Sequence, residues 1–214
     1  MNEKNAPLAV IRRLPRYYRH LGELLKNDIY RISSRELSER MNVTASQIRQ
    51  DLNFFGGFGQ QGYGYNVEYL YNEIGTILGL NCKNNTIIIG AGKLGQALAK
   101  YPTFKKRGFI LVGIFDVDPE VIGTEIAGVE VAHIDTLEDF MAANKVRIAI
   151  LTLPKDATHD VALRLADCGI KGILNFSYVD LDIPQDIAVE NVHLSDSMMT
   201  LSYKIASRER DKEQ

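Results

Sequence analysis

From Thr86 to Asp116 the chain reads TIIIGAGKLGQALAKYPTFKKRGFILVGIFD, a run that leaves little freedom in what can surround it. Ile87-Ile88-Ile89 is apolar on consecutive positions, the mark of a strand covered on both faces of a parallel sheet. Gly90-Ala91-Gly92-Lys93-Leu94-Gly95 follows, then a helix, a second strand, and an acid at its end. Gly90 permits the tight turn, Gly92 lets backbone approach a pyrophosphate, and Gly95 lets the helix pack close to the sheet. The phosphates would then rest on N–H groups at a helix N-terminus, including those of Lys93 and Leu94. Asp116 stands 21 residues after Gly95, where a carboxylate accepts hydrogen bonds from the adenosine ribose and repels a 2′-phosphate. Strand, turn, helix, spacing and acid agree, so the run predicts a site for NAD(H) rather than NADP(H). A fingerprint reports phosphates and ribose better than nicotinamide, so another adenine nucleotide stays open.

The segments after Asp116 alternate in the same manner. A short strand pattern around Val129–Val131 precedes a helix from Leu137 and a strand from Val146 to Leu151. A helix from Asp156 to Cys168 ends at Gly169, and strands follow at Gly172–Phe176 and Ala188–His193. The expected fold class is α/β, a Rossmann-type doubly wound parallel sheet over residues 86–193. A last amphipathic helix, from Ser195 to about Ser207, carries Met198, Met199, Leu201 and Ile205. With the sheet already complete, that stripe is assigned to a partner subunit.

The front of the chain has another character. The net charge is −2, yet residues 1–49 hold ten Lys and Arg against five Asp and Glu. Such a basic front end suits a large anion, though a solvated helix surface would look the same. Residues 8–25 have helical apolar spacing interrupted by Pro15, which should restart or kink the helix. Ser33-Ser34-Arg35-Glu36 and Thr44-Ala45-Ser46-Gln47 are two capping boxes eleven residues apart. Only two short helices and a turn at Met41-Asn42-Val43 fit, so a helix-turn-helix is predicted, with Leu37, Met41, Val43, Ile48 and Leu52 as its core. The recognition helix would run from Ala45 to Phe54 and expose Ser46, Gln47, Arg49 and Gln50 to phosphates and base edges. An ordinary three-helix bundle with a polar face is the alternative. GGFGQQGYGY then leaves room for a hairpin turning near Gln60-Gln61-Gly62, as a winged variant requires. Asn66 caps a helix from Val67 to about Leu80. The expected division is a winged helix-turn-helix domain over 1–80, a linker over 81–85, the nucleotide domain over 86–193, and a C-terminal helix and tail over 194–214.

An enzyme of the same fold would need catalytic groups. Tyr101-Pro102-Thr103-Phe104-Lys105 has the Tyr-x-x-x-Lys spacing of short-chain dehydrogenases, but it follows the first helix of the nucleotide fold, and Pro102 should break the helix that aligns the pair. His20, His133, His159 and His193 are scattered, and no metal-ligand spacing occurs. Cys82 and Cys168 read as reduced thiols. No apolar run is long enough to span a bilayer, and the charged N-terminus does not resemble a signal peptide, so a cytoplasmic protein without a membrane partner is expected. A small NAD-dependent oxidoreductase whose head serves assembly is the competing reading.

Several blocks in order carry a resemblance over nearly the whole chain: RLPRYYR from Arg13, SQIRQDL from Ser46, FFGGFGQQG from Phe54, the GAGKLG loop with Tyr101-Pro102, and GIKGILNF from Gly169. They are similar to the Rex family of redox-sensing transcriptional repressors. That resemblance implies a homodimer whose winged heads bind palindromic double-stranded operator DNA and whose C-terminal helices are exchanged. NADH would release the DNA, NAD⁺ would compete for the site while supporting the bound form, and no catalytic turnover is implied. It also implies that Gln60, Gln61 and Gly62 of the wing meet DNA, and that Arg16, Tyr101 and His193 belong to the nicotinamide or switch region. The chain departs from the family pattern at Gln50 and at Gln60-Gln61, where basic residues are common, and at His193, where many members carry an acid.

Overall fold

Two compact units, Met1–Cys82 and Lys83–Gln214, make up the chain in the computed structural model, which describes residues 6–60 and 63–213. In the first unit the opening helix pattern splits into α1 (Leu8–Ile11) and α2 (Leu14–Lys26). Pro15 occupies the first turn of α2, where its missing N–H has no intrahelical partner to lose. β1 (Arg31–Ile32), α3 (Ser34–Met41), α4 (Ala45–Asn53), β2 (Gly59–Gln60), β3 (Gly64–Asn66) and α5 (Val67–Ile77) follow. Ser33 and Glu36 close their capping box from both sides, at 3.1 and 2.7 Å. Asn42 ends α3 in the left-handed conformation, φ +52°, which turns the chain into α4. Thr44 accepts from Gln47 N, but the Gln47 amide goes elsewhere, so the second box is only half closed.

Leu37, Met41, Ile48 and Leu52 are buried and Val43 packs at their rim, the expected helix-turn-helix core. Tyr18 of α2 and Tyr71 of α5 stack at 4.2 Å, each ring lying over a glycine of the other helix. A Cβ on Gly22 would stand 3.1 Å from Tyr71, and one on Gly75 3.1 Å from Tyr18. β2 and β3 form the expected antiparallel hairpin, and β1 pairs with the other edge of β3 to make a three-stranded sheet in the order β1-β3-β2. Sequence reasoning missed β1, which is two residues long. Gln61 and Gly62 lie outside the described residues.

The second unit contains β4 (Asn84–Ile89), α6 (Lys93–Ala99), α7 (Pro102–Lys106), β5 (Phe109–Asp116), β6 (Glu125–Ile126), β7 (Val129–His133), α8 (Leu137–Ala143), β8 (Ile148–Leu151), α9 (Lys155–Asp167), β9 (Gly172–Asn175), β10 (Ala188–Asn191) and α10 (Leu194–Glu213). The sheet order is β10-β9-β8-β4-β5-β7-β6, all parallel except the edge strand β6. β4 has parallel neighbours on both sides, so the winding reverses there and opens a crevice at the carboxyl ends of β4 and β8. Ile87, Ile89, Ala149 and Leu151 face α8 and α9, while Ile88, Ile114 and Ile150 face α6 and α7, as a doubly wound sheet demands. Arg164 of α9 grips Glu138 of α8 bidentately at 2.6 and 2.8 Å.

Two boundaries differ from expectation. β4 begins at Asn84, inside the presumed linker, because Asn84 N bonds Gly108 O at 2.7 Å and extends the pairing. α10 runs to Glu213, through the polar run taken for a tail, so its end follows helix propensity rather than apolar spacing. Leu194, Met198, Met199, Leu201, Tyr203 and Ile205 of α10 are between 50 and 67% exposed. An apolar groove of about 350 Å³ lies over β8, β9 and β10 on the α6 face, lined by Ile148, Ile150, Leu174, Val189 and Phe104 among others.

Candidate functional site

The first unit presents α4. Ser46, Arg49 and Gln50 are exposed on one face together with Asn53, and with Phe54 they line a shallow groove of about 470 Å³. Asn53 continues the face of Ser46, Arg49 and Gln50 by the helical repeat, a signal that sequence reasoning passed over. Arg49 reaches across to α3, its Nη1 donating to Ser34 Oγ at 3.0 Å.

Gln47 is different: it is half-buried at the edge of that face, and its Nε2 donates to Asp51 Oδ1 at 2.8 Å. Asp51, wholly buried, also accepts from Arg13 Nε (2.6 Å), Arg13 Nη2 (2.7 Å) and the Tyr17 hydroxyl (2.7 Å). Burial pushes the Asp51 carboxyl up, but the hydrogen bonds from Arg13, Tyr17 and Gln47 outweigh it and hold it below the ordinary aspartate value. Burial first, then the bond to Asp51, raises the Tyr17 phenol, and the Asp51 bond raises the Arg13 guanidinium. This ion pair ties α4 to α2. It was legible only as a polar residue at 51, three after Ile48 on the apolar side of the helix. Arg16, one turn along from Arg13, donates to the Met41 carbonyl in the helix-turn-helix turn.

In the second unit the glycine loop sits at the crevice. Gly90 has φ +100°, and a Cβ there would stand 2.7 Å from Thr152 O. A Cβ on Gly95 would overlap Gly90 O, whereas one on Gly92 meets nothing within 4 Å. Gly90 and Gly95 are therefore required by the turn itself, and Gly92 keeps open space in front of it. Three side chains hold the loop: Thr152 Oγ1 donates to Gly90 O (2.8 Å), Gln96 Nε2 donates to Ala91 O (2.9 Å), and Asp116 Oδ2 accepts from Ala91 N (2.5 Å). Asp116 Oδ1 accepts from Val117 N and Asp118 N, so the acid is fixed at the end of β5 with one lone-pair position on Oδ2 to spare. Gln96 N is the first of α6 to bond back, to Gly92 O, which leaves the N–H groups of Lys93, Leu94 and Gly95 directed past the helix end.

Tyr101 and His193 stand elsewhere. Tyr101 is 52% exposed at the far end of α6, its ring edge-on to Phe104 at 5.2 Å, and it lines a partly open pocket of about 270 Å³. α6 ends at Ala99 and Pro102 opens the separate helix α7 with Tyr101 as its extended cap residue, so, as expected, no single helix aligns Tyr101 with Lys105. His193 lies past the carboxyl end of β10. Its Nε2 is 3.2 Å from Ser177 O, its ring stacks on Tyr178 at 5.2 Å, and its Nδ1 is 3.6 Å from Asp196 Oδ2. A buried polar network of Thr158, Ser177 and Asn175 supports that edge of the sheet. No cluster of potential metal ligands occurs among the described residues.

A helix-turn-helix unit with a two-strand wing, joined to a dinucleotide-type α/β unit, defines a transcription regulator of the kind that carries its own sensor. Comparison with known proteins agrees. Residues 5–53 match a family model described as "Putative DNA-binding protein N-terminus", and residues 81–179 match one described as "CoA binding domain". The redox-sensing transcriptional repressor Rex of Thermoanaerobacter sp. (strain X514) is 63% identical over 94% of this chain and 90% of its own length. The corresponding protein of Clostridium perfringens (strain SM101) is 56% identical over 94% and 95%. The crystal structure of RSP in complex with β-NAD⁺ and operator DNA superposes with a TM-score of 0.91 at 61% identity, covering 98% of this chain and 96% of that one. RSP in complex with β-NADH gives 0.89 at 58% identity, covering 97% of each. The chain belongs to the Rex family of redox-sensing transcriptional repressors.

Proposed function

We propose that this chain acts as a homodimer that binds palindromic operator DNA through its winged heads and lets go when NADH occupies the glycine-loop crevice. NAD⁺ competes for the same crevice without driving release. The observation that carries this reading is the crevice itself: a loop in which Gly90 and Gly95 admit no Cβ, open space before Gly92, and Asp116 fixed beside it. RSP, of the same fold, was crystallised with β-NAD⁺ and operator DNA and with β-NADH. Gly90, Ala91, Gly92, Lys93, Leu94 and Gly95 take the pyrophosphate and Asp116 the ribose. Ser46, Gln47, Arg49 and Gln50 meet DNA, with Gln60, Gln61 and Gly62 at the wing. An apolar nicotinamide pocket favours the neutral reduced ring over the cationic oxidised one, and that difference in affinity is all a switch requires.

The dimer is supported by two faces that fit chemically. The groove over β8, β9 and β10 and the exposed stripe of α10 are both apolar, and α10 of a second copy would cover the groove. No helix among the described residues is long and apolar enough to cross a membrane. Arg16, Tyr101 and His193 are assigned to the switch, with Asp196 available as the acid beside His193. The test is fluorescence anisotropy on a labelled palindromic promoter fragment, titrated with NADH and then NAD⁺ at fixed salt. Loss with NADH and retention with NAD⁺ is expected; indifference to both refutes the redox reading, and His193→Ala with unchanged release removes His193 from the switch.

A further inference from the structure

The Asp51 cluster does more than join two helices. A carboxylate has two oxygens and about four lone-pair positions, and it can only accept. At Asp51 four donors fill them: Arg13 Nε and the Tyr17 hydroxyl at Oδ2, Arg13 Nη2 and Gln47 Nε2 at Oδ1. An amide side chain ordinarily turns over at will, because its oxygen and nitrogen ends have nearly the same shape. Gln47 has no such freedom. Turned over, its Oε1 would face an anionic oxygen at 2.8 Å and the fourth bond would be lost. The amide is pinned with one N–H of its NH₂ on Asp51, which leaves its carbonyl oxygen and its second N–H as the groups turned from Asp51.

Gln47 is the third residue of α4, beside the exposed Ser46 and Gln50. Residues near the start of a recognition helix reach base edges in the major groove. There adenine offers N6–H₂ and cytosine N4–H₂ as donors, while guanine O6 and thymine O4 accept. An amide held in that sense accepts from an amine through Oε1 and can donate its second N–H to a purine N7, the bidentate pattern of adenine, whereas at guanine the same oxygen meets O6 lone pair to lone pair.

Resting on the DNA-binding reading above, we propose that Gln47 is a specificity-determining residue whose amide, oriented by Asp51, selects an amino base over a keto base at one position of each half-site. Asp51 is the positioning residue: it touches no DNA and acts through Gln47. Ser46, Arg49 and Gln50 carry no such constraint from Asp51, so the amino preference belongs to one position and not to the whole face.

The test begins with a randomised duplex pool, from which the full-length protein selects its site. Every base of the half-site is then varied in turn, and relative affinities are measured by competition anisotropy for the wild type, Gln47→Ala and Asp51→Asn. In the wild type one position prefers adenine or cytosine over guanine or thymine on the contacted strand by about ten- to a hundredfold. Gln47→Ala, which leaves Asp51 with its three bonds from Arg13 and Tyr17, flattens that position to within about twofold and leaves preferences elsewhere intact. Asp51→Asn can accept or donate, so it frees the amide to turn over; keto bases gain at that position alone, a shift that a purely structural role of Asp51 would not produce. The proposal is overturned if the position lost in Gln47→Ala favours guanine or thymine, or if no position depends on residue 47. A wild-type protein that selects no sequence at all would instead refute the DNA-binding reading.

Discussion

Replacing Asp51 by Asn should destabilise the first unit by an amount and with a pH dependence that the cluster fixes in advance. Removing one partner of a buried ion pair costs about 3–5 kcal/mol, chiefly because the remaining groups lose their compensation. Here the buried Tyr17 hydroxyl suffers most, while the Arg13 side chain, 30% exposed, regains water; the lower end, about 3 kcal/mol, is therefore expected. A unit of this size is stable by roughly 4–12 kcal/mol, so the change is large. The folded value of Asp51 lies below its unfolded value, so its contribution is fully present above the unfolded pKa and is lost as pH falls through the folded one. Urea unfolding followed by circular dichroism should thus show a constant gap between wild type and Asp51→Asn from about pH 8 to about pH 5, closing only in stronger acid. A gap under about 1 kcal/mol, the range of an exposed pair, would refute the reasoning. So would one that already shrinks between pH 7 and 5, since it would mean burial keeps the carboxyl neutral.

The glycine loop separates two kinds of defect. Gly92→Ala has room for its methyl, so the protein should keep its melting temperature and lose NADH affinity at least tenfold by calorimetry; Gly95→Ala drives its Cβ into Gly90 O and should lower both. Equal behaviour of the two would contradict the assigned roles. Asp116→Asn removes the charge that repels a 2′-phosphate, so NADPH binding should rise relative to NADH in the same titration; an unchanged ratio would place discrimination elsewhere. Met198→Asp with Leu201→Asp puts two charges on the exposed stripe of α10 and should shift the dimer to monomer in light scattering; a dimer that persists would assign the interface to another surface.

What the residues announced and what they withheld divide along the reach of the interactions. The βαβ unit was legible because a run of three isoleucines, a glycine loop and an acid at a fixed distance are all consequences of one local geometry. The two capping boxes placed α3 and α4 for the same reason, since each cap spans three residues. The strand β1 escaped because two residues have no period; Arg31 and Ile32 are a strand only because Asn66 and Tyr65 pair with them from across the unit. The half-closed second box is the more instructive case. Read locally, Gln47 should return to the backbone of Thr44. It turns instead to Asp51, itself bound by Arg13, 38 residues away, and no window of sequence contains both. The consequence reaches function, since a residue that looked like one of four interchangeable polar groups on a recognition face is the one whose hydrogen-bonding sense the fold has already chosen. On the proposed reading of Gln47, changes at Arg13 or Tyr17, which hold Asp51 in place, should alter operator preference as well as stability.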